Sequence, residues 1–220
     1  QAEFGGNHSS LLHTRLSIID LDSRSHQPYT YDGCTLVFNG EIYNYIEIRQ
    51  QLLSEGYQFQ TDSDTEVLLK AYHRFGKNCV HHFEGMWAFA ILDSRLNEMI
   101  LSRDRFAEKP LYYLQRDSSI YFGSEIKQIE ALLGNKLEPN MKQAYRFLVN
   151  GHKSLNKYGG QFYLGIEEVG FGETLTLKND LSSAKETYWK PEYRPMKMDE
   201  VDAVESLQSA LIRSVDLRMR

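Results

Sequence analysis

The sequence predicts an α+β fold on three observations. Its β-rich runs come mostly as hairpins rather than as strand–helix–strand units, its amphipathic helices fall in runs between the sheet regions, and Gly or turn residues punctuate both. Hairpin-connected strands build antiparallel sheets, and helices grouped apart from them in sequence cover those sheets from outside.

In chain order, Leu12, Arg15, Ser17 and Ile19 alternate over residues 11–19, which predicts a strand. A second strand covers 35–39 and stops at Gly40. Tyr45, Ile48, Leu52 and Leu53 recur at helical spacing before Gly56, a left-handed stop. Ser63-Asp64-Thr65-Glu66 reads as a capping box opening a second helix through Val67, Leu68, Ala71 and Tyr72 to Gly76. Strands at 86–93 and 98–102 flank the turn 94–97, and 111–115 with 120–123 form a further hairpin. Ser124 is placed to cap a third helix carrying Ile126, Ile129, Leu132 and Leu133, and Asn140 a fourth through Leu148, with Gly134 and Gly151 after them. Residues 152–161 read as a mobile loop, 174–177 and 187–189 as late strands, and Pro191 and Pro195 bracket a linker. From Asp199 onward, Val201, Val204, Leu207, Leu211 and Val215 mark an amphipathic helix that opens another domain.

Composition narrows the function. With 41% hydrophobic residues, 14 Tyr and 11 Phe among 220 residues, a sizeable core is available without disulfide or metal staples. Twenty-five basic against 30 acidic residues, a net charge of -5, give no nucleic-acid footprint. Cys34 and Cys79 stand far apart without Cys-x-x-Cys spacing, so neither a disulfide framework nor structural zinc is supported, and a reducing cytoplasm is the natural setting. No apolar stretch approaches a membrane span, and residues 1–6 lack the regions of a signal peptide. Both ends read as cut from a longer chain.

The densest chemical cluster is Asn39-Gly40-Glu41-Ile42-Tyr43-Asn44 at the end of an apolar strand. A strand stopping at Asn-Gly offers a bare backbone N–H beside a carboxamide, the two donors of an oxyanion hole; as a bare pair, Asn-Gly equally serves a simple turn. Arg15 is the donor best shaped to grip a carboxylate, while Glu41 and Asp64 suit an ammonium, so the set fits a zwitterion. Taken singly, Arg15 is a solvated strand residue and Asp64 a partner of its helix dipole.

Taken together, several segments resemble the glutaminase domain of glutamine-dependent asparagine synthetases. These are His13-Thr14-Arg15-Leu16-Ser17-Ile18-Ile19-Asp20, Gln27-Pro28, Asn39-Gly40-Glu41-Ile42-Tyr43-Asn44, Ser63-Asp64-Thr65-Glu66, Arg103-Asp104-Arg105, Lys109-Pro110-Leu111-Tyr112-Tyr113 and Ser124-Glu125-Ile126-Lys127. The resemblance covers most of residues 11–130 in order and weakens toward Arg220. It implies an N-terminal-nucleophile hydrolase, a four-layer αββα sandwich of two antiparallel sheets, that hydrolyses glutamine to glutamate and ammonia. It implies that Arg15 binds the glutamine α-carboxylate with backbone groups of Leu16, Ser17, Ile18 and Ile19 nearby. Glu41 and Asp64 would hold the α-ammonium, and Asn39 with Gly40 would form the oxyanion hole.

The family's nucleophile is a cysteine at the mature N-terminus whose own amine acts as base, well matched to proton transfer near neutral pH. Gln1 stands at the start here, and no Arg-Gly-Pro-Asp segment precedes His13, so the 220-residue chain is expected to be an inactive fragment. Cys34 follows the turn Asp32-Gly33 and reads as a packed thiol, and Cys79 with His81 and His82 lacks a second ligand pair. The resemblance divides the chain into an amidotransferase domain, 1–193, and a linker with the first helix of a synthetase domain, 194–220. No metal or cofactor is expected within 1–220. ATP, Mg and aspartate belong to the synthetase half, whose Ser-Gly-Gly-x-Asp-Ser loop does not occur here, and family members are often homodimers. Ala107 stands where the family usually has Gly, and the Gly159-Gly160 and Gly170-Phe171-Gly172 segments also depart from its pattern, which bears on the acceptor. The competing readings are a non-catalytic scaffold domain of a β-lactam-synthetase-like ligase and, last, a glutaminase feeding a sugar or nucleotide acceptor.

Overall fold

Strand β4, Cys34–Ile42, decides the architecture because both of its faces are apolar. Cys34, Leu36 and Phe38 point to one core, and Val37 to another on the opposite side. In the computed structural model, which describes residues 2–4, 7–14, 19–20, 22–151 and 160–219, β4 pairs along its whole length with β5, Gly85–Asp93. Trp87, Phe89 and Ile91 of β5 join the first core, and Ala88, Ala90 and Leu92 the second. A strand buried on both faces must lie inside a sheet covered on both sides.

After the short hairpin β1 (Ala2–Phe4) and β2 (Asn7–Ser9), the remaining strands of that sheet are β3 (Tyr29–Tyr31), β6 (Glu98–Arg103), β10 (Glu173–Lys178) and β11 (Ser183–Thr187). The order is β11-β10-β6-β5-β4-β3, antiparallel throughout. Helices α1 (Tyr45–Ser54) and α2 (Asp64–Phe75) cover its first face through Ile48, Leu52, Val67, Leu68 and Tyr72. A second antiparallel sheet, β8-β7-β9, is built from β7 (Tyr112–Arg116), β8 (Ser119–Gly123) and β9 (Glu167–Glu168). Its Tyr113, with Leu111 and Val169 beside it, packs against Leu101, Leu175 and Leu177. Leu114 faces outward to Ile129 of α3, Ile126–Leu133. The layers therefore run helix, sheet, sheet, helix, the αββα sandwich expected. Helix α4, Met141–Asn150, is capped by Asn140, and α5, Glu200–Arg218, by Asp199.

Five local expectations are corrected. Gly40 does not stop its strand: β4 stays paired with β5 through Ile42, the two backbones meeting closely at Gly40 and Gly85. Residues 11–14 form no strand: Leu11, not Leu12, turns into the inter-sheet core, and β3 occupies the edge beside β4; residues 15–18 lie outside the described residues. At α2 the Ser63 hydroxyl accepts from the Thr65 N–H, and Glu66 does not close the box. Its carboxylate instead holds the Gln60 and Thr61 N–H groups and the Lys70 ammonium. At α3 the box is Glu125 with Gln128, not Ser124. The last strand is Ser183–Thr187, because the Tyr188 and Trp189 N–H groups turn away to the Gly172 carbonyl. The loop expected at 152–161 falls largely outside the described residues.

After β6 the chain wraps around one carboxylate. Asp104, fully buried, accepts N–H groups from Phe106 (2.9 Å), Glu108 (3.0 Å), Lys109 (3.0 Å) and Trp87 (3.2 Å). Arg103 clamps the loop's other side, donating to the carbonyls of Ala107, Lys109 and Val169 and to Glu168. So tight a wrap puts Ala107 at φ +55°, where a Cβ crowds the following carbonyl. Ala107→Gly is accordingly expected to stabilise the fold by roughly 0.5–1 kcal/mol, the strain relieved less the extra unfolded-state freedom of Gly. Thermal denaturation checks this: a rise of about 2–4 °C per kcal/mol is the scale for a chain of this size. An unchanged or lower midpoint would remove strain as the account of position 107.

Candidate active site

The end of β4 is shaped by two glycines. Gly40 pairs with Trp87 and Gly85 with Ile42, and the strands come so close that a Cβ on Gly40 would lie 2.1 Å from the Met86 carbonyl oxygen. A Cβ on Gly85 would lie 2.2 Å from the Glu41 carbonyl oxygen. Gly40 also sits at φ +152°. The Asn-Gly pair is thus part of a strand under close approach and not a simple turn.

Asp64 comes to this end from α2. The Ile42 N–H donates to its Oδ2 at 3.1 Å, which fastens the carboxylate to the residue following Glu41. Asp64 is 6% exposed, and burial pushes its carboxyl up to about 6, with the negative charge of Glu41 adding to the rise. Glu41 is half-buried; burial raises its carboxyl as well, and Lys109 opposes the shift. Both carboxyls are thus harder to ionise than in water, and Asp64 feels the negative charge of Glu41.

Several side chains hold this geometry. Asp20 accepts from the Asp62 N–H at 2.8 Å and the Ser25 hydroxyl at 2.7 Å, tying the segment after Ile19 to the loop before Asp64. Gln27 bridges β4 and α2, accepting from the Phe38 N–H at 2.6 Å and donating to the Thr65 hydroxyl at 3.4 Å. The buried Glu66 carboxylate orders Gln60 and Thr61, and the Thr61 hydroxyl accepts from the Ser63 N–H at 3.3 Å. Asn39, on β4, donates from Nδ2 to the Ser124 hydroxyl at 3.2 Å.

The structure therefore brings Asn39, Gly40, Glu41 and Asp64 to one strand end. Ile19 is described, half-buried next to Asp20, whereas Arg15, Leu16, Ser17 and Ile18 lie outside the described residues. Ser124, Lys109 and Asp20 belong to motifs the sequence displays, but their parts in this cluster arise from contacts far apart in the chain. Cys34 is buried with its thiol pushed up to about 12, and Cys79 is buried too, so neither is a poised nucleophile. His82 stacks on Phe75 and His81 meets Tyr188 edge-on, and among the described residues no group of three or more His, Cys, Asp or Glu is arranged for a metal. Two cavities lie apart from the cluster, one between α5 and Asn44 and Glu84, the other around Asp32 and Cys34. No helix among the described residues is long and apolar enough to cross a membrane.

Residues 1–189 match the glutamine amidotransferase domain family. Asparagine synthetase (glutamine-hydrolyzing) 1 of Bacillus subtilis is 33% identical over 99% of this chain and 34% of its own length. Amidase chry2 of Gibberella zeae is 30% identical over 97% of this chain and 32% of its own. The chain thus spans about a third of the length of these relatives. Glutamine phosphoribosylpyrophosphate amidotransferase from B. subtilis superposes with a TM-score of 0.58 at 24% identity, covering 81% of this chain and 34% of that one, a likeness of fold.

Proposed function

The chain belongs to the class II glutamine amidotransferase domain family, of the asparagine synthetase type, and from that premise we propose that it binds glutamine at the end of β4 for hydrolysis to glutamate and ammonia. The observation that carries the reading is the convergence of Asp64 on the Asn39-Gly40-Glu41 strand end through the Ile42 N–H. Glu41 and Asp64 hold the α-ammonium, Arg15 with residues 16–19 takes the α-carboxylate, and the Asn39 carboxamide with the Gly40 N–H receives the charge that develops on the amide oxygen. In this reading the attacking thiolate is that of the cysteine the family carries at its mature N-terminus.

In the parent protein, residues 1–193 are the amidotransferase domain and 194–220 lead into a synthetase domain that spends ATP, with Mg, to amidate aspartate. Helix α5 supports that division, since it buries none of its residues and leaves Val204, Leu207 and Leu211 about 60% exposed. A second reading, a non-catalytic domain on a β-lactam-synthetase-like ligase, is opposed by the intact acidic pair, which a domain that never binds an amino acid does not need.

Calorimetric titration of glutamine into the chain tests both readings. Saturable binding is expected at pH 7. Protonating Asp64 removes one of the two charges facing the ammonium, so affinity falls as pH drops through about 6 and levels off above pH 7. Glutamine that fails to bind at pH 7 hands the site to the scaffold reading, and affinity flat from pH 5 to 8 denies Asp64 its part.

A further inference from the structure

We propose that Ser124 is a positioning residue for the oxyanion-binding carboxamide of Asn39, an assignment that rests on the glutaminase reading above. By position Ser124 is a helix cap, yet Glu125 and Gln128 fill that post, the Glu125 N–H donating to Gln128 Oε1 at 3.1 Å. The residue before it keeps the box closed: a Cβ on Gly123 would stand 2.7 Å from Gln128 Oε1. With the cap supplied by its neighbours, the Ser124 hydroxyl is left for another partner, and the partner is Asn39 Nδ2 at 3.2 Å, across from the small sheet to the end of β4 and 85 residues away in sequence.

The need for such a partner follows from the chemistry of the donor. Attack of a thiolate on the side-chain amide of glutamine moves the C=O π pair onto oxygen, and a donor helps most when it already points at that oxygen before the charge appears. The last torsion of Asn is a soft, roughly two-fold rotation about an sp³–sp² bond, so β4 fixes where the carboxamide starts but not how its plane is turned. Gly40, next in the strand, has no side chain to brace it. A hydrogen bond from one Nδ2 hydrogen to Ser124 turns the plane and leaves the other hydrogen to the oxyanion.

The test uses the intact protein and steady-state glutamate release by wild type, Ser124→Ala, Ser124→Thr, Asn39→Ala and the Ser124→Ala/Asn39→Ala double variant. Ser124→Ala is expected to lower kcat about tenfold, a part of the 100- to 1,000-fold that loss of a whole oxyanion donor costs. Its KM for glutamine should stay within about twofold, because the amino-acid end is held elsewhere. Ser124→Thr, which restores the hydroxyl, recovers most of the rate. In the Asn39→Ala background, Ser124→Ala costs nothing further, since its effect passes through Asn39. A residue that merely packs would lower the melting temperature and cost the same in both backgrounds, and that result overturns the assignment. So does an unchanged kcat in Ser124→Ala while the wild type turns over. A wild type that releases no glutamate from glutamine overturns the glutaminase reading, and this assignment with it.

Discussion

Gly40→Ala is expected to destabilise the chain by about 3 kcal/mol or more and to abolish glutamine binding, the combination of overpacking and positive-φ strain. The added methyl would stand 2.1 Å from the Met86 oxygen and 2.8 Å from the Trp87 Cα, both backbone atoms, so no rotamer change relieves the contact. Relief requires β4 and β5 to part at the pairs Asn39 with Ala88 and Glu41 with Met86. Both strands lie inside the sheet, and Trp87 of β5 is fully buried, so parting them opens the main core. Far-UV circular dichroism should show the melting temperature down by roughly 6–12 °C, from about 2–4 °C per kcal/mol in a chain of this size. A variant melting within a degree or two of wild type would mean that the close approach is not what places glycine here.

Asp64→Asn is expected to do the opposite to stability while removing the ligand. The Asp64 carboxyl titrates near 3.8 in an unfolded chain and at about 6 in the fold, chiefly through burial. A group raised on folding contributes fully below its unfolded value, and that contribution is lost as pH rises through the folded value. At pH 7 the ionised carboxylate therefore costs about 3 kcal/mol relative to its protonated form. Asn keeps an oxygen for the Ile42 N–H and carries no charge. Asp64→Asn should thus gain about 1–3 kcal/mol at pH 7 and almost nothing at pH 4. Its affinity for glutamine should fall at least 30-fold, the low end of the roughly 2–5 kcal/mol lost when one member of a desolvated charge pair is removed. Thermal denaturation at the two pH values and calorimetry at pH 7 decide it. A less stable variant at pH 7, or one binding glutamine as tightly as wild type, contradicts the role given to Asp64.

What could be read from the sequence was what lies close in sequence. The start of β4, the Gly76 and Gly134 helix ends and the acidic start of α2 are local patterns, and each lies within a residue or two of its expected place, whereas β4 runs on through Gly40 to Ile42. The layered class followed from hairpins and grouped helices. Missed details share one cause, competition from partners outside the local pattern, some nearby in the chain and some far away. Glu66 has the right spacing to close a capping box, but the buried Lys70 and the Gln60 and Thr61 amides outbid the helix end for its carboxylate. Ser124 has the right place for a cap, and Asn39 takes its hydroxyl instead. Tyr188 has the composition of a strand, yet its hydroxyl donates to the Arg103 carbonyl and its N–H leaves the ladder. No spacing rule reports an acceptor that lies tens of residues away.

The reciprocal pair between Asp104 and Trp87 bears on how the molecule assembles. The Asp104 N–H donates to the Trp87 carbonyl at 2.9 Å while its carboxylate takes the Trp87 N–H, and the same carboxylate then gathers Phe106, Glu108 and Lys109. The loop's organising charge is thus tied to the pairing of β5 with β6. Although Phe106 is 69% exposed, the segment shares hydrogen bonds with β5, so it is expected to open together with the sheet beneath it. Lys109, which tempers the Glu41 carboxyl, is fastened by its N–H to the same carboxylate, so the charge balance of the ligand site depends on the pairing of β5 with β6.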